Sequence, residues 1–368
     1  MQHVDPAHRT IYADLAQRAL DVRFANDFPL EGRFIRWRRN EREYWYFDRT
    51  DESGKKVRRY VGPVADAEIT RRVAEHKELK NAVRQRRRLV SALVRDARLP
   101  TPDRTAGDVV AALADAGFFR LRGVLVGTVA YGCYPAYLGI RLADALQRTQ
   151  DTDLAQFHSI SVAVDDTTDD VREVLRVVDP TFDAIPDQMD GRRTTKFVNA
   201  EGYRVEFLTP NRTSDDVAGK PARMPALGGV DAVPLRFLDF LIYEPVRAVM
   251  LHRAGVPVTI PAPERYAVHK LIVASRRRKD GSGEAKDRKD LNQAVSLFRA
   301  MIELRRSDDL ADAWMEARDR GPAWRTAIDT SVRRLSPSDW ANFQSALRSG
   351  VETLGASPAA YGLANSSD

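Results

Sequence analysis

Residues 149–154 read Thr-Gln-Asp-Thr-Asp-Leu, and this short acidic stretch is the starting point for predicting the fold. Consecutive side chains of a β-strand point to opposite faces, so a strand here places Asp151 and Asp153 on the same face. Two neighbouring carboxylates repel each other unless a cation neutralises them. Solvated turns also contain Asp-x-Asp pairs, so the meaning of the stretch depends on the segments around it.

Two further segments supply that context. Residues 125–128, Leu-Val-Gly-Thr, end an apolar strand in a glycine and a hydroxyl residue, a turn whose N–H groups and hydroxyl suit a phosphate. Residues 204–210, Arg-Val-Glu-Phe-Leu-Thr-Pro, read as a strand in which Glu206 is the lone carboxylate. If the two acidic strands are neighbours, three carboxylates converge and suit Mg²⁺, which prefers oxygen ligands. Two such ions clamp the attacking and leaving oxygens in many phosphoryl transfers.

The order of these segments resembles the nucleotidyltransferase superfamily that includes DNA polymerase beta. The signature of that superfamily is a strand, Gly-Ser, a helix, Asp-x-Asp and an acidic residue on a later strand. Residues 105–305 are similar, more closely still, to a bacterial family of nucleotidyltransferase-fold proteins. The elements that carry this similarity are Gly127-Thr128, Tyr131, Thr149 to Asp153, Glu206 to Pro210, Pro261 to Glu264, and His269 to Leu271.

The sequence departs from the superfamily pattern at three points. Thr128 stands where the superfamily has Ser, and Glu206 stands where it has Asp, which is one methylene shorter. Gly127 and Asp151 are 24 positions apart, so an enlarged loop and helix must lie between them. The fold expectation is unchanged, but the longer Glu206 side chain would shift a bound metal.

The resemblance implies an α+β fold, with a polymerase beta-like mixed sheet covered by helices. The residue patterns along the chain, with Pro100-Thr101-Pro102 as a linker, predict three regions. Residues 1–100 form an N-terminal extension with a helix, a small antiparallel sheet and a long basic helix. Residues 101–260 form the nucleotidyltransferase core, and residues 261–368 form a C-terminal helical domain.

The resemblance also implies roles for the acidic residues and the glycine turn. Asp151, Asp153 and Glu206 would hold Mg²⁺, with two ions expected. Gly127 and Thr128 would grip the β- and γ-phosphates of an NTP. The implied reaction is transfer of a nucleoside monophosphate to an acceptor hydroxyl.

The C-terminal half offers basic residues for the triphosphate. Pro263 and Glu264 suit the first turn of a helix. Lys270 and Arg277 are seven positions apart and therefore share a helical face. The candidates to hold the triphosphate are Lys270, Arg277 and Lys286, with Asp290 orienting one of them, and further candidates for phosphate or acceptor contacts are Arg192, Arg193 and Lys196. The alternative is a solvated, salt-bridged pair of helices.

Residues 32–63 combine aromatic and basic side chains in runs typical of a small antiparallel sheet. Such a mixture stacks bases and pairs with phosphates. Alternatively, the rings pack on the neighbouring helix, which is predicted over residues 66–98. The basic run of that helix is either a solvated face or a surface that faces phosphate.

Two local predictions concern the core. Residues 160–164, Ile-Ser-Val-Ala-Val, are expected to form a strand because three of them are β-branched. Thr105 is expected to cap a helix that runs to about Ala116 and ends at Gly117.

Composition narrows the partners and the compartment. The net charge is +6 and the pI about 9.4, which fits a polyanionic partner or reflects only an Arg-rich genome. No apolar run reaches the length of about 18 residues that a membrane span needs. No secretory signal is visible, and the single cysteine, Cys133, excludes an internal disulfide. We therefore expect a cytoplasmic protein.

The acceptor is not determined by these motifs. The helical tail resembles the nucleotidyltransferase toxins of abortive-infection systems, which together with the basic N-terminal segments favours an RNA end, especially the 3′ end of tRNA. That resemblance also implies a possible antitoxin partner. The alternatives are transfer to a protein or a small molecule, and an inactive core that only binds nucleic acid.

Overall fold

The computed structural model describes residues 1–21, 32–39, 42–50, 56–142, 149–163, 167–187, 190–211, 220–276 and 281–363. The N-terminal part contains α1 (Pro6–Asp21), β1 (Arg33–Arg39), β2 (Arg42–Thr50), β3 (Lys56–Pro63) and α2 (Ala67–Arg95). The middle part contains α3 (Arg104–Asp115), β4 (Val124–Val126), α4 (Gly127–Tyr131), α5 (Tyr134–Leu138), β5 (Asp151–Ala155), α6 (His158–Ala163), α7 (Val171–Val178), β6 (Asp183–Pro186), β7 (Thr194–Val198), β8 (Arg204–Pro210), β9 (Ala222–Arg223), β10 (Asp231–Leu235), α8 (Leu238–Ile242), β11 (Val246–Met250) and β12 (Val256–Ile260). The C-terminal part contains α9 (Pro263–Ala274), α10 (Gly281–Glu303), α11 (Ser307–Asp319), α12 (Pro322–Val332), α13 (Pro337–Thr353) and a short 3-10 helix (Pro358–Tyr361).

A mixed sheet lies at the centre of the fold. Its main path runs β4-β5-β8-β10-β9, and β7 pairs with both β8 and β6. Strand β8 is parallel to β5 and to β10, whereas β4 is antiparallel to β5 and β7 is antiparallel to β8. Helices α6 and α7 lie in the crossover between β5 and β8, as a parallel pair requires. The α+β fold with a mixed sheet is therefore confirmed.

One face of the sheet is packed into the core. Leu154, Val205 and Phe207 point to this face and are fully buried. Helix α3 presents a buried apolar stripe that includes Val109 and Leu113 to the same core. The opposite face of the central strands, which carries the acidic residues, remains partly open.

Helix α3 begins two residues earlier than a Thr105 cap would allow. The carboxylate of Asp103 accepts a hydrogen bond from the backbone N–H of Ala106 at 2.9 Å and caps the helix. The prediction of Thr105 as the cap was wrong because an aspartate, a stronger cap, precedes it by two positions. The C-terminal end is as predicted, with Ala116 as the last capping residue and Gly117 in a left-handed conformation at φ +90°.

The strand predicted at residues 160–164 is wrong over its described residues. Residues 158–163 form helix α6, and the backbone N–H groups of Ile160 and Ser161 both donate to the carbonyl of Phe157. The hydroxyl of Ser161 is buried and accepts a hydrogen bond from the N–H of Ala226 at 3.1 Å. This tertiary contact favours a helical turn over the β-preference of the neighbouring valines.

The N-terminal segment packs directly on the central part of the chain. Leu15 of α1 and Leu93 of α2 are buried in one cluster with Ala136 and Val249. The backbone N–H of Val249 also donates to the hydroxyl of Tyr12 at 2.9 Å. Helix α1 is thereby attached to strand β11.

Helix α2 is attached at a second point by Arg86. Its guanidinium donates to the carbonyl oxygens of Ala254 and Gly255, in the turn between β11 and β12, at 2.9 and 2.7 Å. Burial of the side chain lowers the pKa of Arg86. Arg86 lies in the basic run for which a phosphate-facing role was one interpretation, and it has a structural role instead.

We therefore expect Arg86→Met to destabilise the protein by about 2–4 kcal/mol, because it leaves two buried carbonyl groups without their donor. Urea unfolding followed by circular dichroism would measure the loss. Arg87→Met is the matched control, since the neighbouring side chain is exposed. Equal stability of the two variants would contradict the anchoring role.

Candidate active site

The three predicted carboxylates lie on one face of the central sheet. Strands β5 and β8 are parallel, with Asp153 opposite Glu206 and Asp151 opposite Arg204. All three acidic side chains are partly exposed, whereas the residues between them point to the core. The sequence-based expectation that the two acidic strands are neighbours agrees with this register.

Lys196 on strand β7 extends this arrangement across the sheet. It is paired in register with Glu206, and its ammonium nitrogen lies 3.0 Å from Glu206 Oε1. Lys196 is a predicted phosphate contact, and in the structure it forms an ion pair with the third carboxylate. Within the described parts of the chain, no three acidic, histidine or cysteine side chains are grouped closely enough to hold a metal ion.

The side chain of Asp151 is held by a residue just before its own strand. The hydroxyl of Thr149 donates a short hydrogen bond to Asp151 Oδ1. Arg204, exposed and opposite Asp151, adds a positive charge on the same face. The carboxylate is thus oriented without being buried.

Gly127 lies directly against the second aspartate. Strand β4 pairs with β5 so that Val126 is opposite Asp153. Gly127 follows with φ +68°, and a Cβ atom at this position would come within 2.4 Å of Asp153 Oδ2. Only glycine meets both requirements, so the turn brings its backbone against the carboxylate. Thr128 follows in the first turn of α4.

Helix α9 supports this turn. The hydroxyl of Tyr266 donates to the carbonyl of Gly127 at 2.9 Å and lies 3.2 Å from Gln293 Oε1. Lys270, one helical turn further on, forms a buried ion pair with Asp290 at 2.6 Å. Its ammonium group also lies 5.1 Å from the centre of the Tyr266 ring. The predicted pairing of Asp290 with a cation of this helix pair is therefore present.

Comparison with known proteins identifies the family. A family model described as nucleotidyltransferase matches residues 104–319, which is more than half of the chain. The chain belongs to this nucleotidyltransferase family. The matched range contains the carboxylates, the glycine turn and the Lys270–Asp290 pair.

One solved structure is similar to this nucleotidyltransferase, an antigenic nucleotidyltransferase-like protein from Paracoccidioides brasiliensis. The sequence identity is 16%, and the match covers 58% of this chain and 93% of that chain with a TM-score of 0.29. Among curated proteins, none matches.

Two predicted phosphate contacts lie away from the carboxylates. Arg192 is exposed and pairs with Asp190, and Arg193 donates to Asp231 of strand β10 at 2.7 Å. Strand β8 lies between β5 and β10, and both arginines lie on the side of β8 that faces away from β5. Lys286 is exposed on α10. The predicted residue Arg277 lies outside the described residues.

Sequence reasoning missed Lys289 as a candidate site residue. Lys289 is half-buried on α10, and its pKa is lowered by burial and by the positive charge of Lys270, with a smaller opposing effect from Asp151. Perturbation of this kind, beside an acidic cluster, is typical of functional sites. No pattern in the sequence distinguishes it from the neighbouring Lys286, because its burial is a property of the folded chain.

A cavity opens beside the carboxylates. Its volume is about 400 Å³, and Thr128 and Thr149 line it on the side of Asp151. Its other walls come from residues 100–106, the start of α3, and from apolar residues that include Met250. A cavity lined by both apolar and polar residues suits a nucleobase or a ribose.

We expect Gly127→Ala to abolish most of the enzyme's activity, with a decrease of about 100-fold, because the new methyl group displaces the Asp153 carboxylate. Gly355→Ala is the matched control. Gly355 also has a positive φ, +78°, but no atom within 4 Å of the position of its Cβ. Both variants bear backbone strain of about 1–2 kcal/mol, so similar melting temperatures with unequal activity support the interpretation. Equal activity would contradict it.

Proposed function

We propose that the enzyme transfers a nucleoside monophosphate from an NTP to a hydroxyl group at an RNA 3′ end, in a Mg²⁺-dependent reaction. The observation that carries the proposal is the shared sheet face of Asp151 and Asp153, with the Gly127 backbone directly against it. This arrangement combines an acidic pair with a turn that suits phosphate. It lies within the range that matches the nucleotidyltransferase family.

The acidic residues fit Mg²⁺ in a particular way. Mg²⁺ keeps several water ligands and is often held by one or two carboxylates together with substrate phosphates. Asp151 and Asp153 meet this requirement, being on one face and partly exposed. Glu206 would join them only after leaving Lys196. When bound, the ion would neutralise charge on the phosphates and on the attacking oxygen.

The donor nucleotide is oriented by groups on both sides of the glycine turn. Gly127 and Thr128 offer backbone N–H groups and a hydroxyl to the triphosphate. Lys289 of α10 supplies positive charge, whereas the charge of Lys270 on α9 is compensated by Asp290 in a buried ion pair. The cavity beside Thr128 and Thr149 receives the nucleoside.

The reaction is an in-line displacement. The acceptor hydroxyl oxygen forms a bond to the α-phosphorus, and the bond from that phosphorus to the oxygen bridging to the β-phosphate breaks. Pyrophosphate leaves, and Glu206 takes the proton of the acceptor hydroxyl. Because no covalent intermediate is needed, the protein contributes mainly positioning and charge.

An RNA acceptor is supported by the charge of the chain. The net charge of +6 favours a polyanion, and the N-terminal extension is its most basic part outside the matched range. A tRNA 3′ end, as in toxin-like enzymes, is the specific acceptor we propose. The antitoxin partner and the cytoplasmic location stay predictions.

The proposal is tested by incubating the purified enzyme with Mg²⁺, each α-³²P-labelled NTP in turn, and total tRNA. We expect labelled tRNA with one preferred nucleotide. Asp151→Asn and Asp153→Asn should each lower labelling by about 1000-fold, because the charge that orients the phosphates is lost. Glu201→Gln, which changes an exposed carboxylate in the turn before β8, should label normally.

The other outcomes separate the alternatives. Label on the protein itself, or on added proteins, would replace RNA with a protein acceptor. Label on a small molecule would replace RNA with a small-molecule acceptor. Binding of tRNA without any labelling would replace the enzyme proposal with a nucleic-acid-binding role.

A second test concerns Lys289. Burial disfavours the charged form of Lys289, so its pKa in the folded protein lies below its pKa in the unfolded chain. The free energy of unfolding therefore rises as the pH increases from the folded pKa to the unfolded pKa. Lys289→Met removes this cost and should leave the melting temperature equal or higher at neutral pH. It should weaken NTP binding by about tenfold or more, because a charged phosphate contact is lost.

Arg288→Met is the matched control, since its side chain is exposed on the same helix. Calorimetric titration with a non-hydrolysable NTP and thermal unfolding measure the two effects. Lowered stability with unchanged NTP binding would assign Lys289 a purely structural role.

A further inference from the structure

The small N-terminal sheet separates its aromatic residues onto two faces. Strands β1 and β2 are antiparallel, so residues opposite each other share a face. Trp45 and Phe47 point inward and are buried, and the indole N–H of Trp45 donates to Thr70 of α2 at 3.0 Å. The alternative that the rings pack on the neighbouring helix is therefore correct for this face only.

The outer face carries a second aromatic set. Trp37 is opposite Tyr44 in the β1–β2 register, and Tyr46 lies two residues further along β2 on the same face. Trp37 is 48% exposed, which is unusual for so large an apolar side chain, and both tyrosines are half-buried. Adjacent rings at neighbouring positions of an open sheet form a surface on which planar groups stack.

Arginine accompanies the rings on this face. The guanidinium of Arg58 lies 4.6 Å from the centre of the Trp37 ring. Asp48 holds the same guanidinium through two hydrogen bonds, of 2.6 and 2.9 Å, and fixes its plane. Arg33, opposite Asp48 and exposed, adds a further positive charge. Arginine in this position stacks on bases or pairs with phosphates.

The charge of the outer face of the sheet indicates the kind of partner it binds. Among the described side chains, strand alternation places Arg33, Lys56 and Arg58 on the outer face with the rings, against the carboxylate of Asp48. A surface that is both aromatic and basic is complementary to a polyanion that carries planar groups. Unpaired RNA has both properties, since its bases are free to stack and its phosphates are charged.

We propose that the outer face of the β1–β2–β3 sheet binds a single-stranded RNA segment, with bases stacked on Trp37 and Tyr44 and phosphates held by the surrounding arginines. This site extends the proposed function by giving the acceptor a second contact, but it does not depend on catalysis. Thr70, which contacts the sheet, and Arg86, which contacts the central part, are separated along α2 by about 24 Å.

The test is fluorescence anisotropy with a labelled single-stranded RNA of about 10 nucleotides, a length that one stacking surface accommodates. The full-length protein is used at low salt, with EDTA and without NTP, so that the measurement is independent of nucleotidyl transfer. Single-stranded DNA and duplex RNA of the same sequence are titrated in parallel. We expect the single-stranded RNA to bind most tightly.

Trp37→Ala should weaken RNA binding by about tenfold or more, the effect typical of losing a stacked base. Trp37→Phe keeps a ring and should restore most of the binding, which separates stacking from any change in folding. Tyr243→Ala is the control, because Tyr243 is an exposed aromatic residue, at 47%, outside this sheet. Arg33→Gln should reduce the dependence of log affinity on log salt by about 0.7, the value for one phosphate contact on a single strand.

Three outcomes would overturn the proposal. These are the absence of RNA binding by the wild-type protein, equal binding by Trp37→Ala and wild type, and tighter binding of duplex RNA or of single-stranded DNA. If Trp37→Ala binds RNA more weakly but labels tRNA normally at saturating RNA, the result supports both proposals, because the sheet then contributes to binding and not to catalysis. Loss of labelling in Asp153→Asn with intact RNA binding separates the catalytic face from this surface.

Discussion

The parallel pairing of β5 with β8 is the constraint on which the site depends. Side chains alternate between the two faces of a sheet, so a shift of one residue in this register would turn Glu206 into the core and Phe207 out to solvent. The burial of Leu154, Val205 and Phe207 opposes such a shift. The packing of the hydrophobic face therefore determines which polar groups meet on the other face. The parallel direction also requires a long crossover, which explains why the third carboxylate is distant in sequence.

This dependence explains how much of the fold and the site was predictable from sequence. The faces of Asp151, Asp153 and Glu206 follow from strand alternation, which is a local rule. The family motif predicted that the strands carrying these residues are neighbours. The partner of Glu206 was not predictable, because Lys196 reaches it only through the pairing of β7 with β8. The prediction of a strand at residues 160–164 was wrong for a similar reason. The β-branched run is too short to specify a strand, and a buried tertiary contact favours the helix instead.

The distribution of charge around the site suggests what it is built to receive. Two of its cations are already compensated, because Lys196 pairs with Glu206 and Lys270 pairs with Asp290. Lys289 is half-buried, and burial together with the positive charge of Lys270 lowers its pKa, so both effects disfavour its charged form. A triphosphate would reverse this preference by supplying negative charge. A nucleotide, the substrate class that the family uses, therefore fits the charge around Lys289 better than an uncharged ligand does.

Helix α2 connects the turn between β11 and β12 to the N-terminal sheet. A helix transmits position rigidly along its axis, whereas a flexible linker would not. Arg86 holds one end to the turn between β11 and β12, and Trp45 holds the sheet near the other end. A strand bound on the sheet is thereby kept at a nearly constant distance from the central part of the fold. Under the proposed function, an RNA acceptor held on the sheet would have to span that distance before its end reached Asp151 and Asp153, so acceptors would be selected by length as well as by chemistry.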